Sequence, residues 1–237
     1  MYALIIAGGK GERLRPITDS IPKPMIPVAG KPLLEHQINW LKNAGVTDIV
    51  LLVGHLATSI EEHFNDGSEF GINLHYSRED TPLGRGGAIK RGLAFVESED
   101  TVFVINGDII CDHKAIDVLD GFNEQRRLVA HHMATLMVVP MVSPYGIVYF
   151  DHANTVTDFK EKDVLPYWIN GGVYVFSTKI RKYLPDVGDH EVEVFPRLAS
   201  DGQISIVKSS QFWRSVDSFK DLSEVEHHLI HRRGIRT

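Results

Sequence analysis

The first half of the chain alternates almost wholly apolar segments with amphipathic ones, and few folds accommodate that order. Segments 3–7, 48–53 and 101–105 are apolar enough to be strands that are buried on both faces. Between the first two, Leu34, Ile38 and Leu41 recur at helical spacing within 32–44. This order predicts an α/β fold in which helices flank both faces of a mainly parallel sheet.

The remaining segments extend this prediction along the chain. A further strand is expected at 72–76, and helices are expected at 56–64 and 86–96. In the second half, short connections separate strand-like segments at 133–139, 146–150, 155–159, 172–176 and 204–207, which predict an antiparallel extension carrying a second binding wall. Ser218 and Asp221 have the spacing of an N-terminal capping pair for a last helix, and the basic tail 231–237 is expected to fray.

The composition favours one globular domain over 1–237. The chain has 237 residues, of which 43% are hydrophobic, enough for one sizeable core. A net charge of −6 argues against a general nucleic-acid binder. Cys111 is the only cysteine, so an intramolecular disulfide and a CxxC site are excluded. No apolar segment reaches transmembrane length and no leader is recognisable, which predicts a cytoplasmic protein with no membrane partner; self-association stays open.

A glycine- and cation-rich loop follows the first strand. Its glycines allow backbone N–H groups to approach anionic oxygens, and Arg13 and Lys23 supply positive charge, so the loop indicates polyphosphate binding. The loop lacks the third glycine of a dinucleotide-binding GxGxxG, and strand 48–53 ends at Gly54-His55 without the acidic residue of that fold. It also lacks the Gly-Lys-Ser/Thr of a Walker A loop.

The ordered string from Arg13 through Pro16, Pro22-Lys23-Pro24 and Lys31-Pro32 resembles the sugar-1-phosphate nucleotidylyltransferases, also called nucleotide-sugar pyrophosphorylases. The resemblance covers nearly the whole chain. It implies a Rossmann-like, GT-A-like nucleotidyltransferase fold with a nucleotide-binding half at 1–111 and a sugar-phosphate-binding half at 112–237. It also implies catalytic roles for Arg13 and Lys23, and nucleotide contacts from the loop residues Ala7, Gly8, Gly9, Gly11 and Glu12.

A second glycine-rich segment, 82–88, resembles the Pro-Leu-Gly-Thr-Ala-Gly-Ala turn that lies against the nucleobase in this family. Arg85 and Gly86 replace the usual Thr and Ala. The resemblance implies nucleotide contacts from Pro82, Gly87 and Asn106. Glycines here would let a base stack closely on the backbone, although an ordinary glycine-rich helix entry has the same pattern.

Two aspartates are candidate Mg²⁺ ligands. Asp108 follows a buried strand of the predicted parallel sheet, where open α/β sheets bind ligands. The resemblance pairs it with Asp217, in a segment similar to the family's Trp-x-Asp-x-Asp pattern. Mg²⁺ prefers such hard oxygens, shared with substrate phosphates. Ser218-Phe219 follow Asp217 where relatives usually have Gly-Thr, and a capping role for Asp217 is the alternative.

Three segments of the second half resemble the family's sugar-phosphate side, at 145–148, 159–162 and 169–174. By resemblance, Glu161 and Asn170 contact sugar hydroxyls, Lys162 contacts the sugar's phosphate, and Gly146 belongs to the same site. Asp163 stands where relatives have proline. One cation with a carboxylate and an amide suits a phosphorylated polyol.

The resemblance implies an enzyme whose partners are an NTP and a sugar 1-phosphate, with Mg²⁺ as cofactor. The short length and segments 79–84 and 86–89 favour guanylyl transfer to a mannose- or heptose-type 1-phosphate. The alternatives are uridylyl or thymidylyl transfer to a glucose or amino-sugar 1-phosphate, and a non-catalytic nucleotide-sugar sensor. A C-terminal β-helix is not expected within 1–237.

Overall fold

A seven-stranded mixed sheet lies at the centre of the molecule. The computed structural model describes residues 1–96 and 100–232. Its strands are β1 (Tyr2–Ile6), β2 (Pro27–Val28), β3 (Lys31–Pro32), β4 (Asp48–Val53), β5 (Asn73–Arg78), β6 (Thr101–Asn106), β7 (Ile109–Cys111), β8 (Ala134–Val142), β9 (Ile147–Phe150), β10 (Val156–Lys160), β11 (Val164–Ser177), β12 (Ile204–Lys208) and β13 (Trp213–Ser215). Its α-helices are α1 (Leu33–Lys42), α2 (Ala57–Phe64), α3 (Gly84–Gly92), α4 (Ala115–Leu128), α5 (His190–Glu193), α6 (Phe195–Ser200) and α7 (Phe219–Arg232).

The strand order is β12-β8-β11-β6-β1-β4-β5, and the prediction of a mainly parallel sheet flanked by helices is confirmed. Strands β6, β1, β4 and β5 pair in parallel, with Leu4 of β1 between Val50 and Val104. Strand β11 is antiparallel to both β6 and β8, whereas β12 is parallel to β8. The apolar segments form these central strands because both faces of the sheet are covered.

Alternate side chains of β1 enter different cores. Ala3 and Ile5 pack with residues of α1, α2 and α4 on one face of the sheet, and Leu4 packs with residues of α3 and α6 on the other. A smaller cluster that includes Leu14 and Val225 joins the first loop to α7. This satellite cluster anchors the loop that follows β1 without covering its glycines.

The second half differs from the predicted antiparallel extension. Segments 133–139, 172–176 and 204–207 lie in strands of the central sheet, but β12 joins in parallel. Segments 146–150 and 155–159 instead contribute to the separate hairpin β9–β10. Helices α4, α5 and α6 were not predicted, because α4 buries only a sparse apolar stripe and α5 and α6 are short.

The last helix begins as predicted. The Ser218 hydroxyl donates to Asp221 Oδ2 at 2.7 Å, and the Asp221 amide donates to the Ser218 hydroxyl at 3.3 Å. Helix α7 extends through His231 and Arg232, and the rest of the predicted frayed tail lies outside the described residues. Within the described part of the chain, no helix combines the length and apolarity needed to span a membrane.

Gly92 gives a test of this packing. A Cβ at Gly92 would lie 2.4 Å from Leu52 Cδ2 and 3.0 Å from Leu4 Cδ2, both in the core. We expect Gly92→Ala to destabilise the fold by about 1–2 kcal/mol, because overpacking outweighs the gain in helix propensity. Urea denaturation measures the change. Gly9→Ala, whose Cβ would meet nothing within 4 Å, is the control for stability, and equal midpoints for the two variants would contradict the packing account.

Candidate active site

A cleft of about 830 Å³ opens at the carboxyl ends of β1, β4 and β6. The chain leaves β1 as the loop 7–14, while Gly54 follows β4 and Asn106 ends β6. Because parallel strands end at one edge of the sheet, these segments converge although they are distant in sequence. The cleft is therefore the place where the topology assembles a ligand site.

Lys23 joins the two candidate metal ligands. Its Nζ donates to Asp108 Oδ2 at 2.7 Å and to Asp217 Oδ1 at 2.8 Å, and only 13% of its side chain is exposed. Lys23 begins a short 3-10 turn with Pro24 at its second position, which fixes the backbone that presents the ammonium group. The structure thus brings Lys23, Asp108 and Asp217 together in the lining of the cleft.

Asp217 also accepts hydrogen bonds from Arg13 and Ser215. Arg13 Nη2 donates to Asp217 Oδ1 at 2.7 Å, and the Ser215 hydroxyl donates to Asp217 Oδ2 at 2.9 Å. Burial acts to raise the pKa of Asp217, but the hydrogen bonds and charges of Lys23, Ser215 and Arg13 outweigh it and hold that pKa below its usual value. The carboxylate therefore stays ionised at neutral pH.

Most of the predicted nucleotide-binding residues line the cleft. They are Ala7, Gly8, Gly9, Gly11, Glu12, Pro82 and Asn106. Gly87 does not line it: a Cβ there would lie 2.4 Å from the Asp186 carbonyl oxygen, so Gly87 packs against the chain. The cleft is also lined by residues that were not singled out as site residues from the sequence, among them Lys10, His55, Glu79, Asp80 and Arg85.

The predicted sugar-side residues lie outside this cleft lining. Gly146 packs beside Glu161 near the hairpin β9–β10, since a Cβ on Gly146 would lie 3.1 Å from Glu161 Oε1. Glu161 and Lys162 are exposed, and Lys162 has a φ of 54°. Asn170, in β11, is instead held by Tyr174 and Glu191. The structure groups Gly146 with Glu161 and leaves Asn170 in a separate network.

The family model described as Nucleotidyl transferase matches residues 2–232. This protein belongs to the nucleotidyl transferase family. The chain is 35% identical to the mannose-1-phosphate guanylyltransferase of Mycobacterium tuberculosis over 98% of its own length, and 32% identical to the UTP–glucose-1-phosphate uridylyltransferase of Synechocystis over 91%. It spans 65% and 62% of those relatives.

Two solved structures share the fold of this chain. A putative glucose-1-phosphate thymidylyltransferase from Bacillus anthracis has a TM-score of 0.78 at 22% identity and covers all of this chain with 97% of its own. HddC from Yersinia pseudotuberculosis, solved with GMP-PN, has a TM-score of 0.74 at 25% identity, covering 96% of this chain and 99% of its own. The GT-A-like nucleotidyltransferase fold that the sequence resemblance implied is thereby shown.

The two carboxylates of the cleft fit a hard cation. Asp108 Oδ1 is buried and has no hydrogen-bond partner, so a lone pair is left that a cation would satisfy. Among residues 1–96 and 100–232, no group of three or more His, Cys, Asp or Glu side chains could hold a metal. Asp108 and Asp217 would therefore share the cation with water and substrate phosphate, the arrangement that Mg²⁺ favours.

The glycine-rich turn packs against the loop that contains Gly188. The Gly86 amide donates to the Gly188 carbonyl and the Gly188 amide donates to the Leu83 carbonyl, both at 2.9 Å. Gly84 has a φ of +72°, and a Cβ there would lie 2.4 Å from the Gly188 carbonyl oxygen. The glycines of this turn are thus explained by close packing of the loop, and contact with a base remains a prediction.

Arg85, which lines the cleft, is hydrogen-bonded to residues that follow Gly188. Its Nε and Nη2 donate to Asp189 Oδ2 at 2.8 and 2.6 Å, and its Nη1 donates to Glu191 Oε1 at 2.8 Å. Burial acts to lower the pKa of Arg85, but the Asp189 hydrogen bond and both carboxylate charges outweigh it and raise that pKa. The sequence signalled Arg85 only as a departure from the family turn, and it did not signal Asp189 or Glu191.

Proposed function

We propose that this protein transfers a nucleotidyl group from an NTP to a sugar 1-phosphate in a Mg²⁺-dependent reaction. The observation that carries the proposal is the convergence of Lys23, Asp108, Asp217 and Arg13 in a cleft lined by the glycine-rich loop. Two anions must meet in this reaction, and clustered cations with carboxylates that suit a metal reduce their repulsion. Family membership supports the same reaction class.

In the proposed reaction, a phosphate oxygen of the sugar 1-phosphate attacks the α-phosphorus of the NTP. The new P–O bond forms as the bond to the β-phosphate breaks, and pyrophosphate leaves. A phosphate monoester has a second pKa of about 6, so it is largely ionised at neutral pH and the step needs no general base. Bound Mg²⁺ would supply charge neutralisation at the phosphates.

The chain's own residues orient and neutralise the substrates. The glycine-rich loop offers backbone N–H groups to the triphosphate. Arg13, whose side chain is 76% exposed, is free to turn from Asp217 toward a phosphate, and Lys23 holds its position beside both aspartates. Lys162 is proposed to hold the phosphate of the sugar. Positioning of this kind supplies most of the rate in phosphoryl-type transfer.

Guanylyl transfer to a mannose- or heptose-type 1-phosphate is the preferred assignment. Several relatives at 34–36% identity are named mannose-1-phosphate guanylyltransferases, and HddC was solved with GMP-PN. The Synechocystis relative, named for UTP and glucose 1-phosphate, supports uridylyl transfer as the second candidate. Small changes in hydrogen bonding to a base can change such a preference strongly.

The reaction is tested by pyrophosphate release. GTP, UTP, dTTP and CTP are each incubated with mannose, heptose, glucose and amino-sugar 1-phosphates, in Mg²⁺ and in excess chelator. We expect release with a sugar 1-phosphate, fastest with GTP, and loss of release on chelation that added Mg²⁺ restores. No release from any pair by folded protein would contradict the enzyme assignment, and fastest release with UTP would transfer the preference to the second candidate.

Ligand-induced stabilisation tests base preference separately from turnover. A ligand that binds the folded state stabilises it by RT ln(1 + [L]/Kd), about 2.7 kcal/mol at one hundred times Kd. We expect GTP with Mg²⁺ to raise Tm more than equal concentrations of UTP, dTTP, CTP or NAD. A larger shift with NAD would contradict the nucleotidyltransferase site, and stabilisation by GTP without turnover would indicate a nucleotide-binding regulator.

A further inference from the structure

A hydrogen-bonded network lies between the cleft and the sugar-side residue Asn170. Its centre is Glu191 Oε1, which accepts from Arg85 Nη1 at 2.8 Å, from the Tyr174 hydroxyl at 2.8 Å and from Asn170 Nδ2 at 3.0 Å. Arg85 lines the cleft, and Asn170 lies on β11. One carboxylate oxygen therefore connects a residue of the nucleotide cleft with a predicted sugar contact.

Asp189, which precedes α5, holds both Arg85 and Glu191 in place. Asp189 Oδ2 accepts two hydrogen bonds from Arg85, and Asp189 Oδ1 accepts from the Glu191 amide at 2.8 Å. Tyr174 is fully buried, whereas the side chains of Arg85 and Glu191 are 38% and 25% exposed. The polar side chains of Arg85 and Glu191 are therefore partly exposed while the buried Tyr174 holds them. Such an arrangement suits residues that position a ligand.

The network also determines how Asn170 presents its amide. Nδ2 donates to the Tyr174 hydroxyl at 2.8 Å and to Glu191 Oε1 at 3.0 Å, and these two acceptors are themselves 2.8 Å apart, so they lie in nearly the same direction and share one N–H. Asn170 Oδ1 accepts from the Gly172 amide at 3.0 Å and retains one lone pair. A sugar hydroxyl, which can donate, could therefore bind at Oδ1 of Asn170.

We propose that Glu191, held by Arg85, is a positioning residue for the sugar 1-phosphate: it fixes the Asn170 amide so that Oδ1 accepts a hydrogen bond from a sugar hydroxyl. The inference rests on the proposed function. Arg85 contributes through the charge-assisted hydrogen bond that orients Glu191. Removing the Glu191 carboxylate frees Asn170 to rotate, and the sugar contact is then lost.

The test compares the change in KM for the sugar 1-phosphate with the change in KM for the NTP. We expect Glu191→Ala to raise KM for the sugar 1-phosphate about tenfold, the worth of one hydrogen bond, with KM for the NTP and kcat within about threefold of the parent values. Glu191→Gln keeps an acceptor oxygen and is expected to restore the sugar KM to within about threefold. Glu62→Ala, the same substitution at an exposed residue of α2 that lies outside both the cleft lining and the network, is the matched control.

A panel of deoxy-sugar 1-phosphates identifies the hydroxyl. The analogue lacking the hydroxyl that donates to Asn170 is expected to have equal KM values with the parent protein and with Glu191→Ala, whereas the other analogues keep the tenfold difference. If Glu191→Ala does not fold, Arg85→Gln replaces it, with a rise of about threefold expected in the sugar KM that exceeds any rise in the NTP KM.

The outcomes separate this inference from the proposed function. An unchanged sugar KM in Glu191→Ala, or equal rises in both KM values, overturns the positioning role while leaving the enzyme assignment in place. Failure of the parent protein to release pyrophosphate from every NTP and sugar 1-phosphate pair overturns both. An analogue panel in which every member keeps the tenfold difference also overturns the role of Asn170 Oδ1.

Discussion

Asp108→Asn is expected to lower kcat by about 10²- to 10³-fold while NTP binding remains measurable. Asparagine has almost the same shape and can still accept from Lys23, but it lacks the negative charge that would hold the proposed metal and that pairs with the Lys23 ammonium. The loop proposed to bind the triphosphate is unchanged, so we expect binding to persist when the reaction does not. Steady-state pyrophosphate release measures kcat, and the GTP-induced Tm shift measures binding.

Asp112→Asn is the matched control for this prediction. Asp112 follows β7 and contacts His228 and Arg232, away from the cleft lining. It is the same chemical change four positions along the chain, and we expect kcat to remain within about twofold of the parent value. Near-normal kcat in Asp108→Asn would show that the Lys23–Asp108–Asp217 cluster is not the centre of reaction. Equal losses in both variants would indicate a general effect on the fold.

The sequence was most informative where both faces of the sheet are buried. The strand segments 3–7, 48–53 and 101–105 are apolar because helices cover them, and each corresponds to a central strand. The sequence places the hairpin β9–β10 in the antiparallel extension, because short strand-like segments have the same appearance in either setting. Local pattern determines that a segment is extended, whereas tertiary contacts determine which strand it pairs with.

The candidate site likewise contains residues that sequence motifs identify and residues that only tertiary packing brings together. Lys23 and Asp108 were found because each lies in a recognisable motif, and the sheet topology then brings them within 2.7 Å. Arg85 and Glu191 could not be paired from the sequence, because they are 106 positions apart and neither α5 nor the loop before it has a repeating pattern. Contacts of this kind depend on how a loop packs against a turn, which the sequence does not display.

His190 is expected to make the fold sensitive to acid. Its side chain is fully buried among Tyr174, Phe176 and Phe195, and neither ring nitrogen has a hydrogen-bond partner. Burial lowers the pKa of His190 to about 4 from an ordinary value of 6.5, with the nearby Asp189 and Glu191 charges opposing the shift only in part. The folded state therefore keeps this imidazole neutral at pH values where the unfolded chain protonates it.

The sign of the effect follows from proton binding. Between pH 6.5 and about 4 the unfolded chain binds more protons at His190 than the folded protein does, so stability falls as pH falls through this range. The full shift corresponds to about 3 kcal/mol, and above pH 6.5 this residue contributes no pH dependence. Urea denaturation at half-unit intervals from pH 7.5 to 4 measures the free energy of unfolding across the window.

His190→Leu separates this residue from the other titrating groups. Leucine is close in volume and has no ionisable group, so we expect stability at pH 7.5 to change by less than about 1.5 kcal/mol. The decline toward pH 4 is expected to be smaller by about 3 kcal/mol than in the parent protein, because His190 no longer has to remain neutral against the solvent. Parallel curves for the two proteins would mean that His190 is hydrated or paired in solution, and the acid sensitivity would then belong to other groups.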